Sequence, residues 1–163
     1  MDAILDATAR ILRSRGIEAL TTNSISEVAG VGVATLYGYF PDKIAILVAL
    51  ARRMMAEDEA AIVGARMAAP EEDPVRTIVR TVLDRHRLDA AVRAAVMSVH
   101  HAQGLASEHT QAAERTISRL LEHDGRTSAP SAGGPARIFV LTRAVLGVAR
   151  AIAEEGHSLA TST

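Results

Sequence analysis

A chain of 163 residues, 48% hydrophobic and only 2% aromatic, can bury a full core, and its alanine- and leucine-rich composition favours helices packed through small and aliphatic side chains, an all-α class. The absence of cysteine excludes disulfides and thiolate metal sites and makes a reducing cytoplasm the simplest compartment; no apolar run reaches the roughly 18 residues needed to span a bilayer, so no membrane partner is expected. A net charge of -1 excludes nucleic-acid binding driven by bulk positive charge, so any affinity for DNA must come from placement.

Residues 2–15 place Ile4, Ala7 and Ile11 on one line and Leu5, Ala9 and Leu12 beside it, the three-and-four spacing of one apolar helical face. Gly16 is expected to end that helix in a left-handed cap behind Arg13 and Arg15. The stretch 20–43, LTTNSISEVAGVGVATLYGYFPDK, then holds two short helical patterns separated by Gly30, Val31 and Gly32. A helix, a glycine-containing turn and a second helix form the helix-turn-helix, whose second helix enters the DNA major groove. Thr21 or Thr22 is expected to cap the first of these helices, with Ile25, Val28 and Ala29 facing inward. In the second, Leu36 and Phe40 lie four apart and fix an inner face, leaving Thr35, Gly38 and Tyr39 outward. Pro41 disfavours helix at Phe40, and Asp42 can cap the next helix.

From Ile44 an apolar line through Leu47, Val48, Ala51, Met54, Met55 and Ile62 predicts a helix of about 25 residues over 44–67, close to 40 Å long. Two prolines and three acids in AAPEEDP end it. Asp73 is expected to cap a helix with Pro74 at its first position, and a further helix over 88–103 closes at Gly104. Ser107 is expected to cap the next, with Ala113, Ile117, Leu120 and Leu121 inward. Residues 125–135 read as a loop. A last helix over about 136–155 is apolar around most of its circumference, which predicts burial on two sides. Phe139, Leu146, Gly147 and Arg150 are its expected subunit-interface residues, and residues 157–163 read as a frayed polar tail.

Residues 3–50 resemble the tetracycline-repressor (TetR-like) family of bacterial transcriptional regulators. The resemblance is carried by the apolar first helix ending in RG, the threonine-capped helix ending in AGV, and TLYGYFPDK. It implies a helix-turn-helix DNA-binding domain at 1–43 and a helical regulatory and dimerisation domain at 44–163, with 44–67 as the connecting helix. It implies double-stranded DNA as partner, with Thr35, Tyr37, Tyr39 and Lys43 against backbone or base edges and Thr22 and Asn23 on phosphate. Hydroxyls, a lysine and helix N-termini suit phosphate contacts, which fix register more than sequence. The chain departs from the family pattern at Gly32, where a capping serine or threonine is usual, and at Gly38, where many relatives carry a large side chain. It also starts almost at the first helix, without a basic arm, and stops where many relatives continue, as a truncated chain would.

In the body, Met54, Met55, Asp58, His86, Met97 and His101 are the candidate lining of a cavity for a small-molecule effector. The bland alternatives are core packing for His86 and a rim charge for Asp58. No cofactor is expected, and no metal: none of the six histidines forms an HExxH-type pair, and His100 and His101 point about 100° apart on a helix. With no nucleophile elbow, phosphate-binding glycine loop or paired carboxylates, no enzyme is expected. The leading reading is a ligand-responsive repressor that binds a palindromic operator as a homodimer. It competes with a ligand-independent DNA-binding or protein-docking module and with a helical-bundle metal protein.

Overall fold

A computed structural model describes residues 1–122 and 134–160. The elements are α1 (Asp2–Arg15), a 3-10 turn (Ile17–Ala19), α2 (Thr22–Ala29), α3 (Val33–Tyr39), α4 (Lys43–Ala68), α5 (Pro74–Leu88), α6 (Ala90–Ala102), α7 (Ala106–Glu122) and α8 (Gly134–Ala160). Among the described residues there is no strand, and no single helix is long and apolar enough to cross a membrane.

Local chemistry explains most boundaries. α1 buries Ile4, Leu5, Ala7, Ile11 and Leu12, and Thr8 joins that face because its hydroxyl donates to the Ile4 carbonyl at 2.8 Å. Gly16 ends the helix with its N–H on the Leu12 carbonyl, but at φ 73°, ψ -178° it is not the left-handed cap expected from sequence. It occupies the mirror-extended region that only glycine enters readily, which turns the chain into the 3-10 turn. Thr21 caps α2 through a reciprocal box, its side chain accepting from Ser24 N and its own N–H donating to Ser24 Oγ, both at 3.0 Å. Gly30 takes the left-handed conformation at φ 67°, and Ser26 Oγ donates to the Val31 carbonyl at 2.9 Å, fixing the turn. Phe40 is extended ahead of Pro41, and Asp42 accepts from Ala45 N at 2.8 Å to start α4.

α4 is 26 residues, about 39 Å, and is bent 61° from α3. Asp73 caps α5 as expected, accepting from Arg76 N at 2.9 Å with Pro74 next. Ser107 is not a cap: α7 begins at Ala106. Gly104, at φ 76°, donates to the His101 carbonyl while Leu105 N donates to His100, so the chain turns back at once and Ser107 falls in the first turn. α8 starts at Gly134 and continues to Ala160, so residues 157–160 are helical instead of a frayed tail. Residues 125–133 of the expected loop and the tail residues 161–163 lie outside the described residues.

Two apolar clusters organise the molecule. One combines α1, α2, Leu36 and Phe40 with Ile46, Leu47, Leu50, Ala51 and Met54 of α4 and Val92 and Val96 of α6. The other joins Ile62 of α4, Ile78 and Val82 of α5, Ile117 of α7 and Val145 and Ala149 of α8. α4 is apolar on more than one face because it belongs to both clusters in turn. Ion pairs tie the same elements: Arg13 grips Asp89 with two bonds of 2.7 and 2.9 Å, linking α1 to the start of α6, and Arg53 of α4 reaches Asp6 of α1 at 2.7 Å.

Candidate DNA-binding face and body cavity

The head presents one side of α3 outward. Leu36 is fully buried and Phe40 nearly so, while Thr35 and Gly38 are exposed, and Tyr37 and Tyr39 are 50% and 58% exposed. Half-exposed rings do not serve as core at a hinge, so both tyrosines belong to the surface. Tyr37 OH lies 3.2 Å from Thr22 Oγ1, which joins α3 to the first position of α2. One hydroxyl donates to the other, and each keeps capacity for a further bond. Asn23 is exposed beside Thr22, and Lys43 sits half-buried at the first position of α4. Gly32 opens α3 with no side-chain cap. A Cβ there would meet only Thr35 Oγ1 at 3.7 Å, and one on Gly38 would meet nothing within 4 Å. The face is therefore shallow around Gly38, with hydroxyls and the free N-terminus of α3 as its donors. Its charge is sparse: in residues 1–50, Arg10, Arg13, Arg15 and Lys43 stand against Asp2, Asp6, Glu18, Glu27 and Asp42. Arg10 is also engaged, donating to the Val28 carbonyl at 2.8 Å.

In the body, a narrow cleft with a cavity volume of about 60 Å³, partly open to solvent, lies between α4, α5, α7 and α8. Met55, Asp58, Ile62, Ile78, Val82, His86, His109, Thr116, Ile117, Thr142, Val145 and Leu146 line it. Of the residues expected from sequence, Met55, Asp58 and His86 are brought together here. Met54 is buried in the first cluster, Met97 packs against that cluster, and His101 is exposed. His109 and Thr142 were missed although the periodicity contained them: His109 is four residues before Ala113, and Thr142 is four after Ile138 and three before Val145. Their polarity hid them.

The ionisable groups of the cleft are compensated. Asp58 accepts from Arg85 Nε at 2.5 Å and from both terminal nitrogens of Arg93 at 2.7 and 2.8 Å. Burial alone would push its carboxyl up, but the hydrogen bonds and charges of Arg93 and Arg85 outweigh that and hold it below the ordinary carboxylate range. Burial, followed by the Arg93 charge, pushes His86 down. His86 Nδ1 lies 2.8 Å from the Val82 carbonyl, which can only accept, so the neutral ring carries its proton on Nδ1 and a lone pair on Nε2. Burial and then the neighbouring His101 and His86 push His109 down to about 4. Among the described residues no group of three or more His, Asp or Glu side chains could hold a metal ion.

α8 turns two faces. Thr142, Val145 and Ala149 are buried, with Leu146 half-buried against the cleft. Val140, Ala144, Gly147, Val148 and Ala151 form an exposed strip, flanked by exposed Arg150 and by Phe139, over which Arg143 lies at 5.2 Å. Among the described residues, nothing beyond the helix's own backbone lies within 4 Å of where a Cβ on Gly147 would be.

A three-helix head containing a helix-turn-helix, set on a helical body with an internal cleft, defines the class. Residues 4–50, the head, match the family model of the bacterial regulatory proteins of the tetR family. Over 50 residues the chain is 50% identical to the HTH-type transcriptional repressor KstR of Rhodococcus jostii, a stretch covering 30% of this chain and 24% of that one. Over 67 residues it is 39% identical to KstR of Mycobacterium tuberculosis, covering 38% and 30% of the two chains. The matches thus span less than a third of these curated relatives. The fold likeness reaches further: a TetR-family transcriptional regulator from Streptomyces coelicolor superposes with a TM-score of 0.65 over 97% of this chain and 93% of that one, at 19% identity.

Proposed function

We propose that this chain is a DNA-binding transcriptional repressor that grips a palindromic operator as a homodimer and responds to a small molecule held in the body cleft. The observation that carries the reading is α3: its inner residues Leu36 and Phe40 are locked in the core while Thr35, Tyr37, Gly38 and Tyr39 stand out together. Hydroxyls beside a shallow glycine surface grip backbone more than they read bases, so a single head is a weak binder and two heads spaced by a helical turn are needed. The exposed strip of α8 around Gly147 supplies a surface for pairing, since small residues let a second helix approach closely. Residues 1–43 act as the head and 44–163 as the body, and the reading gives the chain no catalytic role.

Coupling between cleft and head has a physical route. Asp58 lines the cleft and holds Arg93 of α6, whose first turn follows Asp89, the partner of Arg13 on α1. A ligand that moves Asp58 biases α6 and with it the angle of the head, which is how two sites share one two-state element.

Selection of bound fragments from a random DNA pool tests the reading. The expected consensus is a palindrome, bound by a dimer with affinity falling steeply as salt rises. Binding that survives Tyr39→Ala together with Lys43→Ala would remove α3 and the start of α4 as the DNA face.

A further inference from the structure

We propose that the body cleft takes an uncharged, mainly apolar molecule carrying a hydroxyl group, an alcohol or a phenol, and rejects carboxylates and amines; this rests on reading the cleft as the effector site. Thr142 is fully buried, and its hydroxyl has no hydrogen-bond partner among the described residues. Other buried helical threonines are satisfied by the carbonyl four residues back, Thr8 on Ile4 at 2.8 Å and Thr116 on Ala112 at 3.1 Å. A buried hydroxyl left unpaired is disfavoured, and this one lines the cleft, where a ligand oxygen would satisfy it.

His86 supplies the complementary half. Its proton is fixed on Nδ1 by the Val82 carbonyl, so Nε2 can only accept. A hydroxyl is the smallest group that both accepts from Thr142 and donates to His86. A bare hydrocarbon satisfies neither, and a ketone satisfies only the first.

The same inventory excludes ions. Asp58 already takes three hydrogen bonds from Arg85 and Arg93, so it has little left for an ammonium, and the two arginines face it from outside the cleft lining. Glu59 is likewise held by Arg119. With His86 and His109 both pushed toward the neutral form, nothing in the cleft stands ready to pair a carboxylate, and an unpaired charge in an apolar site is strongly disfavoured.

Calorimetric titration of the full chain near neutral pH, with ligands sharing one skeleton, decides the matter: octanol, octanoate and octylamine, and para-ethylphenol with para-ethylbenzoate, para-ethylbenzylamine and ethylbenzene. In each set the hydroxyl compound is expected to bind at least about tenfold tighter than the acid or the amine. Thr142→Val, which keeps the side-chain shape, should weaken the hydroxyl compounds about fivefold to tenfold and leave ethylbenzene unchanged, while Thr142→Ser retains binding. An acid or amine that binds as well as its alcohol, no binding by any member, or Thr142→Val without effect on the alcohols would overturn the inference. Release of operator DNA, followed in parallel, separates the two readings. Alcohols that bind without releasing DNA refute the effector role and leave the ligand class standing; release by acids alone refutes the ligand class and leaves the effector role.

Discussion

Replacing Asp58 with asparagine breaks the joint between α4, α5 and α6 without changing its size. The carboxylate accepts three charge-assisted bonds, at 2.5, 2.7 and 2.8 Å, and Arg93 is only 7% exposed, so its guanidinium has little water to turn to. An asparagine there keeps one acceptor and points an amide donor at a cation. Removing one partner of a buried pair costs about 3–5 kcal/mol. Arg85 is more exposed, which places the loss near the lower end, at about 3 kcal/mol. For a chain of this size that lowers Tm by about 6–12 °C, readable from thermal melts followed by circular dichroism near neutral pH. Acid provides an independent check. Asp58 titrates below its ordinary value of 3.8 in the folded chain, so its contribution is complete above that pH and is lost as pH falls through the folded value. The gap between wild type and Asp58→Asn should therefore close in acid. Adding Arg93→Met to the variant should recover much of the loss, because the stranded charge is then gone. A Tm within about 2 °C of wild type, or a gap unchanged in acid, would refute the account.

Other outcomes depend on single residues. Gly32→Ser should stabilise the fold by about 0.5–1 kcal/mol, because φ -65° and ψ 144° suit any residue, the new hydroxyl can cap α3, and the unfolded chain loses freedom; a lower urea midpoint would contradict this. His109, pushed down to about 4 from 6.5, stays neutral when folded while the unfolded chain takes up a proton. Stability is thus complete above about pH 6.5 and falls by about 1 kcal/mol per pH unit toward pH 4; His109→Gln should flatten that slope in urea melts. Asp89→Asn should cost no more than about 1 kcal/mol, since its partner Arg13 is more than half exposed, yet it should weaken the effect of ligand on DNA binding. Unchanged coupling in a titration of operator against effector would exclude the Arg13–Asp89 route.

Much of this was legible in the sequence. The caps at Thr21, Asp42 and Asp73, the stop at Phe40 and the inward pair Leu36 and Phe40 depend on residues within four positions of one another, and local chemistry decided them. What was not legible depends on partners distant in the chain. Asp58 read as a cavity-lining carboxylate or a rim charge, but nothing local shows that it would meet Arg93, 35 residues away. Met54 and Met97 read as cleft residues because they are apolar and near His86 and His101; the structure gives that apolar surface to the first cluster instead. Leu146, grouped with the subunit face, sits half-buried against the cleft, since α8 turns it inward with Val145 while Val140, Gly147 and Val148 stay exposed.

The placement of Val92 and Val96 in the same cluster as Ile11, Leu12 and Leu47 bears on how chains of this fold can be recombined. Head and body look like interchangeable cassettes along the chain, but a junction at residue 43 would seat a foreign α1 on an α6 surface shaped for another sequence and would separate Arg13 from Asp89. A hybrid that keeps this head seated as it is here must carry the matching face of α6 along with the first half of α4. In descent, too, the α6 face and the head are expected to change in step, while the cleft behind Ile62 drifts on its own.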